Sequence, residues 1–123
     1  MPKTLQLPHH SLVAYEVAIE FLALVAGTKI LDSRLRDQAL RAAQGCCLNI
    51  AEAAARISPA DRARVFAIAR GEASEAAAAI EIAAISGECS SDAAEAGNAL
   101  AHRLIRLLTG LARPKPGTQN PKP

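Results

Sequence analysis

Residues 92–112, DAAEAGNALAHRLIRLLTGLA, decide the fold class of this sequence. Apolar and small residues recur at every third or fourth position, and polar residues fill the positions between them. This period matches the 3.6-residue turn of an α-helix that turns one side to a core. The apolar row consists of Ala93, Gly97, Leu100, Leu104, Leu107 and Leu111, widened by Ile105 and Leu108. The stretch therefore predicts an amphipathic helix.

Three earlier stretches show the same period and predict helices over residues 11–26, 34–56 and 59–86. Ser58 and Pro59 mark the start of the third, because serine is a preferred N-cap and proline fits the first helical position. The apolar rows of these helices include Ile57 and Ile68, so we expect both side chains to face the core. The linkers are only a few residues long, which makes consecutive helices antiparallel neighbours. We predict an all-α, up-down-up-down antiparallel four-helix bundle.

Composition agrees with this fold and indicates one domain. The chain has 123 residues with 28 alanines and only 2% aromatic residues, whereas a β-sandwich or barrel favours β-branched and aromatic residues. We expect residues 1–10 to be irregular and residues 113–123, which are proline-rich and basic, to form a disordered tail. No apolar run has the length of a membrane span or of a signal peptide. We therefore expect a cytoplasmic protein with no membrane partner.

The three cysteines, Cys46, Cys47 and Cys89, do not form a disulfide framework, since their number is odd and two are adjacent. We expect them to be small buried apolar side chains in a reducing compartment, and a thiol-based role is the alternative.

Residues 38–53, QALRAAQGCCLNIAEA, resemble the hallmark of the bacterial four-helix bundle proteins known as 23S ribosomal RNA intervening-sequence proteins. That hallmark reads Q-x-x-R-A-A and then N-I-A-E-G. Its polar positions correspond to Gln38, Arg41, Asn49 and Glu52. A second hallmark, A-R-G-S followed by a glutamate, is similar to Ala69-Arg70-Gly71-Glu72 with Glu75 in the later acidic position. The sequence departs from the family at Gly45 and Glu72, where serine is usual, and at Ala53, where glycine is usual.

The resemblance implies a small cytosolic bundle that self-associates into a ring, commonly described as a pentamer, with no established enzymatic activity. The residues themselves also favour self-association. Leu48 lies on the polar side of the second predicted helix, and Ile82 and Ile85 extend the apolar surface of the third beyond one stripe. A helix that is apolar on more than one side is buried on more than one side. Gly71 in mid-helix suggests a close approach by another backbone, from within the bundle or from a second subunit.

The polar motif residues predict a network across the second and third helices. Asn49 and Glu52 share a helix face because they are three residues apart. We expect Arg70 to pair with Glu52 or Glu75 in a buried or half-buried network that fixes helix register or a subunit contact.

Charge is distributed in blocks along the chain. Residues 29–70 carry eight basic and four acidic groups, residues 71–98 carry six acidic and no basic groups, and residues 99–123 carry five basic and no acidic groups. An up-down bundle gathers one basic end, composed of Arg56, Arg62, Arg64, Arg106, Arg113, Lys3 and Lys115, with His9 and His10 nearby. This end is either a binding site for nucleic-acid phosphates or a complement to helix dipoles. The net charge of only +2 and the lack of an aromatic platform for base stacking argue against a dedicated nucleic-acid binder.

No catalytic, cofactor or metal-binding set is visible. A di-iron bundle needs Glu-x-x-His from two helices, and this spacing does not occur. We expect no cofactor and no small-molecule substrate. The predicted function is a non-enzymatic homo-oligomeric scaffold, and the alternative is a nucleic-acid-binding accessory factor that binds RNA or DNA through the basic end.

Overall fold

The computed structural model describes residues 5–113 and contains four α-helices and one short 3-10 helix. The 3-10 helix covers Pro8–Ser11, α1 covers Val13–Gly27, α2 covers Ser33–Ala55, α3 covers Pro59–Ile85 and α4 covers Ser91–Ala112. Each helix end lies within two residues of its predicted position. Of the segment expected to be irregular, residues 1–4 fall outside the described part. The tail expected to be disordered falls outside it from residue 114 onward.

Three of the helices begin at a polar residue whose side chain forms an N-cap. The Asp32 carboxylate accepts hydrogen bonds from the backbone N–H groups of Arg34 and Leu35, at 2.8 and 3.2 Å. Ser58 Oγ accepts from the N–H of Asp61 at 3.0 Å, and Ser90 Oγ caps α4 in the same manner. These caps satisfy N–H groups that the first turn of a helix leaves without a partner.

The helices form the predicted up-down-up-down bundle. The most extensive contacts join α2 to α3 and α3 to α4, and α1 closes the bundle against α2 and α4. Sequential helices are therefore antiparallel neighbours, and the start of α1, the end of α2, the start of α3 and the end of α4 meet at one end. That end is the basic end that the charge blocks of the sequence predicted.

The core between α2 and α3 is built largely from alanine. Ala39, Ala53, Ala69, Ala73, Ala76 and Ala83 are completely buried. Larger side chains, among them Phe21, Phe66 and Leu104, fill the centre of the bundle. We call these facing sides of α2 and α3 the alanine seam. The small side chains there let the two helix axes approach more closely than larger ones would.

A glycine turn closes α3 at the opposite end of the bundle. Gly87 has a φ of 77°, a left-handed conformation that favours glycine. Its N–H donates to Ala84 O, and the N–H of Glu88 donates to Ala83 O, which together form a Schellman motif. The Glu88 carbonyl then accepts a hydrogen bond of 3.0 Å from Leu31 N–H, so the α1–α2 and α3–α4 connections are joined by their backbones.

Helix α1 has the highest share of apolar residues among the four helices. It has 15 residues, fewer than the ~20 that a membrane-spanning helix needs. Across residues 5–113, no helix combines the length and the apolar character required to cross a bilayer.

Candidate functional site

Asp61, in the first turn of α3, binds two of the arginines at the basic end. Arg64 Nη2 lies 2.9 Å from Oδ1 and Arg56 Nη1 lies 3.1 Å from Oδ2. Arg56 also pairs with Glu52, one turn earlier on α2. The hydrogen bond from Arg64 and the charge of Arg56 hold the pKa of Asp61 below its ordinary value. Much of the positive charge of Arg56 and Arg64 is therefore compensated within the chain.

Arg62 and Arg113 occupy a different environment, a cleft of about 360 Å³ that we call the arginine cleft. It lies between the beginning of α3 and the end of α4. Its other lining residues are Leu12, Ile57, Pro59, Ala63, Phe66, Gly110 and Leu111. None of the lining residues is acidic, and within residues 5–113 no carboxylate oxygen lies within 4.0 Å of either guanidinium group.

Arg106 does not join the arginine cleft. It lines a separate hollow on α4 with His102, Arg103 and Leu107, about two helical turns or ~10 Å along the helix from Arg113. The five arginines assigned to the basic end thus fall into three groups. Arg56 and Arg64 are paired with Asp61, Arg62 and Arg113 line the cleft, and Arg106 lies apart. Lys3 and Lys115 fall outside the described residues.

Three rings form a cluster at the same end, where the sequence predicted only that His9 and His10 lie nearby. The ring centroids of His9 and Tyr15 are 4.6 Å apart in an edge-to-face arrangement, and those of His9 and His10 are 4.2 Å apart. His10 is held in place because its Nδ1 accepts a hydrogen bond of 2.9 Å from Leu7 N–H. We call this set the aromatic cluster. The aromatic content of the sequence counts only Phe, Tyr and Trp, so it leaves out the histidine rings. The two adjacent histidines just before a helix start were the feature that could have predicted the cluster.

The motif residues of α2 and α3 form hydrogen bonds rather than the predicted arginine–glutamate pairs. Gln38 Nε2 donates to Glu75, and Asn49 Nδ2 donates to Glu72. Arg41 stands beside a hollow of about 240 Å³ that both glutamates also line.

The prediction that Arg70 pairs with Glu52 or Glu75 is wrong. Arg70 is exposed, and its Nε donates to Thr109 Oγ1 on α4 at 2.7 Å. Arg70 therefore links α3 to α4, because its position on the helix turns it away from α2. Glu52 pairs with Arg56 instead.

Two departures from the family hallmark, Gly45 and Glu72, lie against each other. A Cβ added to Gly45 would stand 2.8 Å from the carboxyl carbon of Glu72, closer than packed atoms allow. The missing side chain at Gly45 thus makes room for the carboxylate that Asn49 binds. Both departures are visible in the sequence, but their contact depends on how α2 packs against α3.

Gly71, for which a close approach was predicted, is exposed, and nothing lies within 4 Å of where its Cβ would stand. For the described residues, the alternative of a close approach within the bundle is therefore wrong, and a close approach by a second subunit stays a prediction.

Large apolar side chains extend over the outer side of α2 and α3. Leu48, Ile82 and Ile85 have exposed fractions of 70%, 49% and 80%. Ile68 and Ile57, which were expected in the core, are also exposed, at 45% and 95%. Ile57 follows the end of α2 and so leaves the helical row, and Ile68 lies at the edge of its row where α3 faces outward.

None of the three thiols has a pKa lowered in the way that is typical of a reactive cysteine. Burial raises the pKa of Cys46 to about 12, with the neighbouring Cys47 and Glu72 adding to the effect, and burial raises that of Cys47 to about 11. Cys89 is half-buried and its pKa is also raised by burial. In the part of the chain that the structure covers, no three His, Cys, Asp or Glu side chains gather into a group able to hold a metal ion.

The fold places the chain in the class of small antiparallel four-helix-bundle proteins. The sequence model of the 23S rRNA-intervening sequence protein family matches residues 11–110, which span all four helices. The chain therefore belongs to this family, which is not a known enzyme family. No curated protein matches the sequence at a significant level.

Proposed function

We propose that the protein is a non-enzymatic scaffold that assembles into a homo-oligomer through the outer side of α2 and α3. The observation that supports this proposal is the apolar surface there, which we call the outer face. It comprises Leu48, Ile68, Gly71, Ala78, Ile82 and Ile85. A second copy is the partner because the family resemblance implies a ring, with five as the expected number of subunits.

The residues of the outer face lie on one side of α3. Ile68, Gly71, Ala78, Ile82 and Ile85 fall within roughly 100° of arc on a helix of 3.6 residues per turn. The Asn49–Glu72 hydrogen bond places Leu48 of α2 at the level of Gly71 on the neighbouring helix. Exposed apolar surface of this kind is typical of protein–protein contacts.

Gly71 supplies a flat position in the outer face. Alanine there meets no atom of its own chain and raises helix propensity, so Gly71→Ala is expected to stabilise the monomer by ~0.5–1 kcal/mol. If a second backbone approaches at Gly71, the same change weakens assembly.

The test is light scattering combined with size-exclusion chromatography at tens of micromolar protein, read against the monomer mass of 12.8 kDa. Ile82→Glu and Leu48→Glu are expected to give monomers that keep helical circular dichroism. Ile19→Glu is the matched control, because Ile19 is similarly exposed, at 41%, but lies on α1. A monomeric wild type, or dissociation by the control alone, contradicts the proposal.

The arginine cleft favours a second candidate function, nucleic-acid binding at the basic end. Arg62 and Arg113 line it without an acidic neighbour among the lining residues. In a ring with parallel subunits the clefts would face one side, so their fields would add. Binding is then expected to weaken steeply with salt, since phosphate contacts release counterions. Absence of binding to any RNA or DNA at low salt contradicts this candidate.

A further inference from the structure

We infer that the arginine cleft and the aromatic cluster form one binding site for single-stranded nucleic acid, in which the arginines hold phosphates and the rings stack on an unpaired base. This inference rests on the second candidate function and specifies its ligand and its residues.

The backbone joins the two parts of the site through Leu12. Leu12 lines the arginine cleft, and its N–H donates to His9 O at 3.1 Å. Its carbonyl accepts a hydrogen bond of 3.1 Å from Tyr15 N–H. His9 and Tyr15 are each three residues from Leu12, and the 3-10 helix that carries His9 packs against α2, which ends two residues before the cleft residue Ile57. We therefore place the rings beside the cleft on its α2 side.

The charge of the cleft selects an anion. Arg56 and Arg64 form ion pairs with Asp61. Arg62 and Arg113 instead line a cleft that has no acidic lining residue. Glu16, one turn into α1, is the acidic residue closest in sequence to Leu12, and it is not among the lining residues. Guanidinium groups are well suited to phosphate, which they bind in a fixed fork geometry.

The rings select a flat apolar group beside that anion. His9 lies between two rings, with His10 at 4.2 Å and Tyr15 at 4.6 Å. All three rings are only half-buried, so a base is expected to stack on the solvent-exposed side of the cluster. Histidine and tyrosine are among the side chains on which unpaired bases stack. A duplex keeps its bases inside, so only a single strand offers both groups at once.

The test compares three fluorescent probes of about ten nucleotides: oligouridylate RNA, an abasic strand with the same phosphates, and a duplex RNA. Fluorescence anisotropy is measured on the full chain at low and near-physiological salt. Wild type is expected to bind oligouridylate roughly tenfold more tightly than either the abasic strand or the duplex.

Two variants separate the parts of the site. Arg62→Gln with Arg113→Gln is expected to weaken all probes and to lower the salt dependence, and Lys29→Gln with Arg34→Gln is the control with the same charge change at the opposite end. His9→Ala is expected to remove the preference for oligouridylate and leave abasic binding unchanged. His102→Ala, an exposed histidine on α4, is its control.

The outcomes distinguish the inference from the function on which it rests. Equal binding of all three probes, or a preference that His9→Ala leaves intact, overturns the stacking site while nucleic-acid binding stands. No binding of any probe at low salt overturns both. Loss of binding with the Lys29 and Arg34 control, but not with the Arg62 and Arg113 variant, places the phosphate contact elsewhere and also overturns the inference.

Discussion

Helices α2 and α3 present two contrasting surfaces, an alanine seam where they pack together and an outer face that carries large aliphatic side chains. Ala69 and Ala76 are completely buried in the seam, whereas Leu48 and Ile85 of the same helices remain mostly exposed. Small side chains inside determine the distance between the helices. Large side chains on the outer face contribute little to the stability of a single copy, but they offer apolar area to a second copy. The difference separates the residues that fold one copy from those that we propose join copies.

The strongest test of this contrast adds the same bulk to each surface. Ala76→Leu forces extra volume into the close-packed seam and is expected to lower the free energy of unfolding by ~1–3 kcal/mol or more. Ala78→Leu, on the outer face of α3, is expected to change the free energy of unfolding of a single copy by less than ~0.5 kcal/mol, measured at a protein concentration at which the chain is monomeric. Urea unfolding of both variants gives the measurement. Equal midpoints would show that the seam tolerates bulk and is not tightly packed.

The buried thiols on the inner side of α2 predict a loss of stability at alkaline pH. The pKa of Cys46 is about 12 and that of Cys47 about 11 in the folded chain, against an ordinary value of 9.0. Above about pH 9 the unfolded chain loses these protons while the folded chain keeps them, so the free energy of unfolding falls as pH rises through 9 toward 11–12. The slope is at most about 1.4 kcal/mol per pH unit for each thiol.

Urea unfolding at about pH 8 and pH 10 measures this slope, with disulfide formation prevented. A Cys46→Ala, Cys47→Ala variant is the control, and it is expected to lose the thiol part of the slope even if its stability at pH 8 is lower. An unchanged slope in that variant would contradict the assignment to the thiols.

A smaller effect is expected at Gly45, where the seam meets the outer face. Gly45→Ala displaces the Glu72 carboxylate and breaks its hydrogen bond with Asn49, but alanine also improves helix propensity. The net change is expected to be within ~1 kcal/mol. In a Glu72→Ser background the clash is absent, so Gly45→Ala is expected to stabilise. A double-mutant cycle followed by thermal unfolding measures the coupling, and a coupling energy near zero would show that the two positions are independent.

The smallest effect is expected at Arg70. Because it is exposed and bonded to Thr109, Arg70→Ala is expected to lower the free energy of unfolding by less than ~1 kcal/mol. The change in melting temperature checks this, with Thr109→Val as the matched loss of the same hydrogen bond. A loss of several kcal/mol would restore the buried network that the motif predicted.

The fold was readable from the sequence because each signal has a local cause. The period of residues 92–112, the cap formed by Ser58 and the short linkers all act within one or two turns of a helix, so they predict the same bundle. The exposure of Ile57 illustrates the limit of this reasoning. A residue just past a helix end continues an apolar row in the sequence but leaves it in space.

The candidate sites were less readable because their geometry depends on which helices face each other. The family hallmark contains both Arg70 and Glu75. Five positions along a helix place the two side chains about 140° apart, so they face different neighbouring helices. Gly45 and Glu72 meet for the opposite reason, since they lie on facing sides of α2 and α3. The charge blocks located the basic end, but only side-chain contacts show that Asp61 compensates Arg56 and Arg64 and leaves Arg62 facing the cleft.

The hydrogen bond between Leu31 and Glu88 has a practical consequence for anyone who attaches a probe to this protein. It ties the two connections at one end together, while the described chain enters at Leu5 and leaves at Arg113 at the other end. A bulky fluorophore attached at Leu5 or Arg113 would therefore lie at the same end of the bundle as the arginine cleft. A small label at exposed Ser91, on the tied end and outside the outer face, would instead leave both the arginine cleft and the outer face clear.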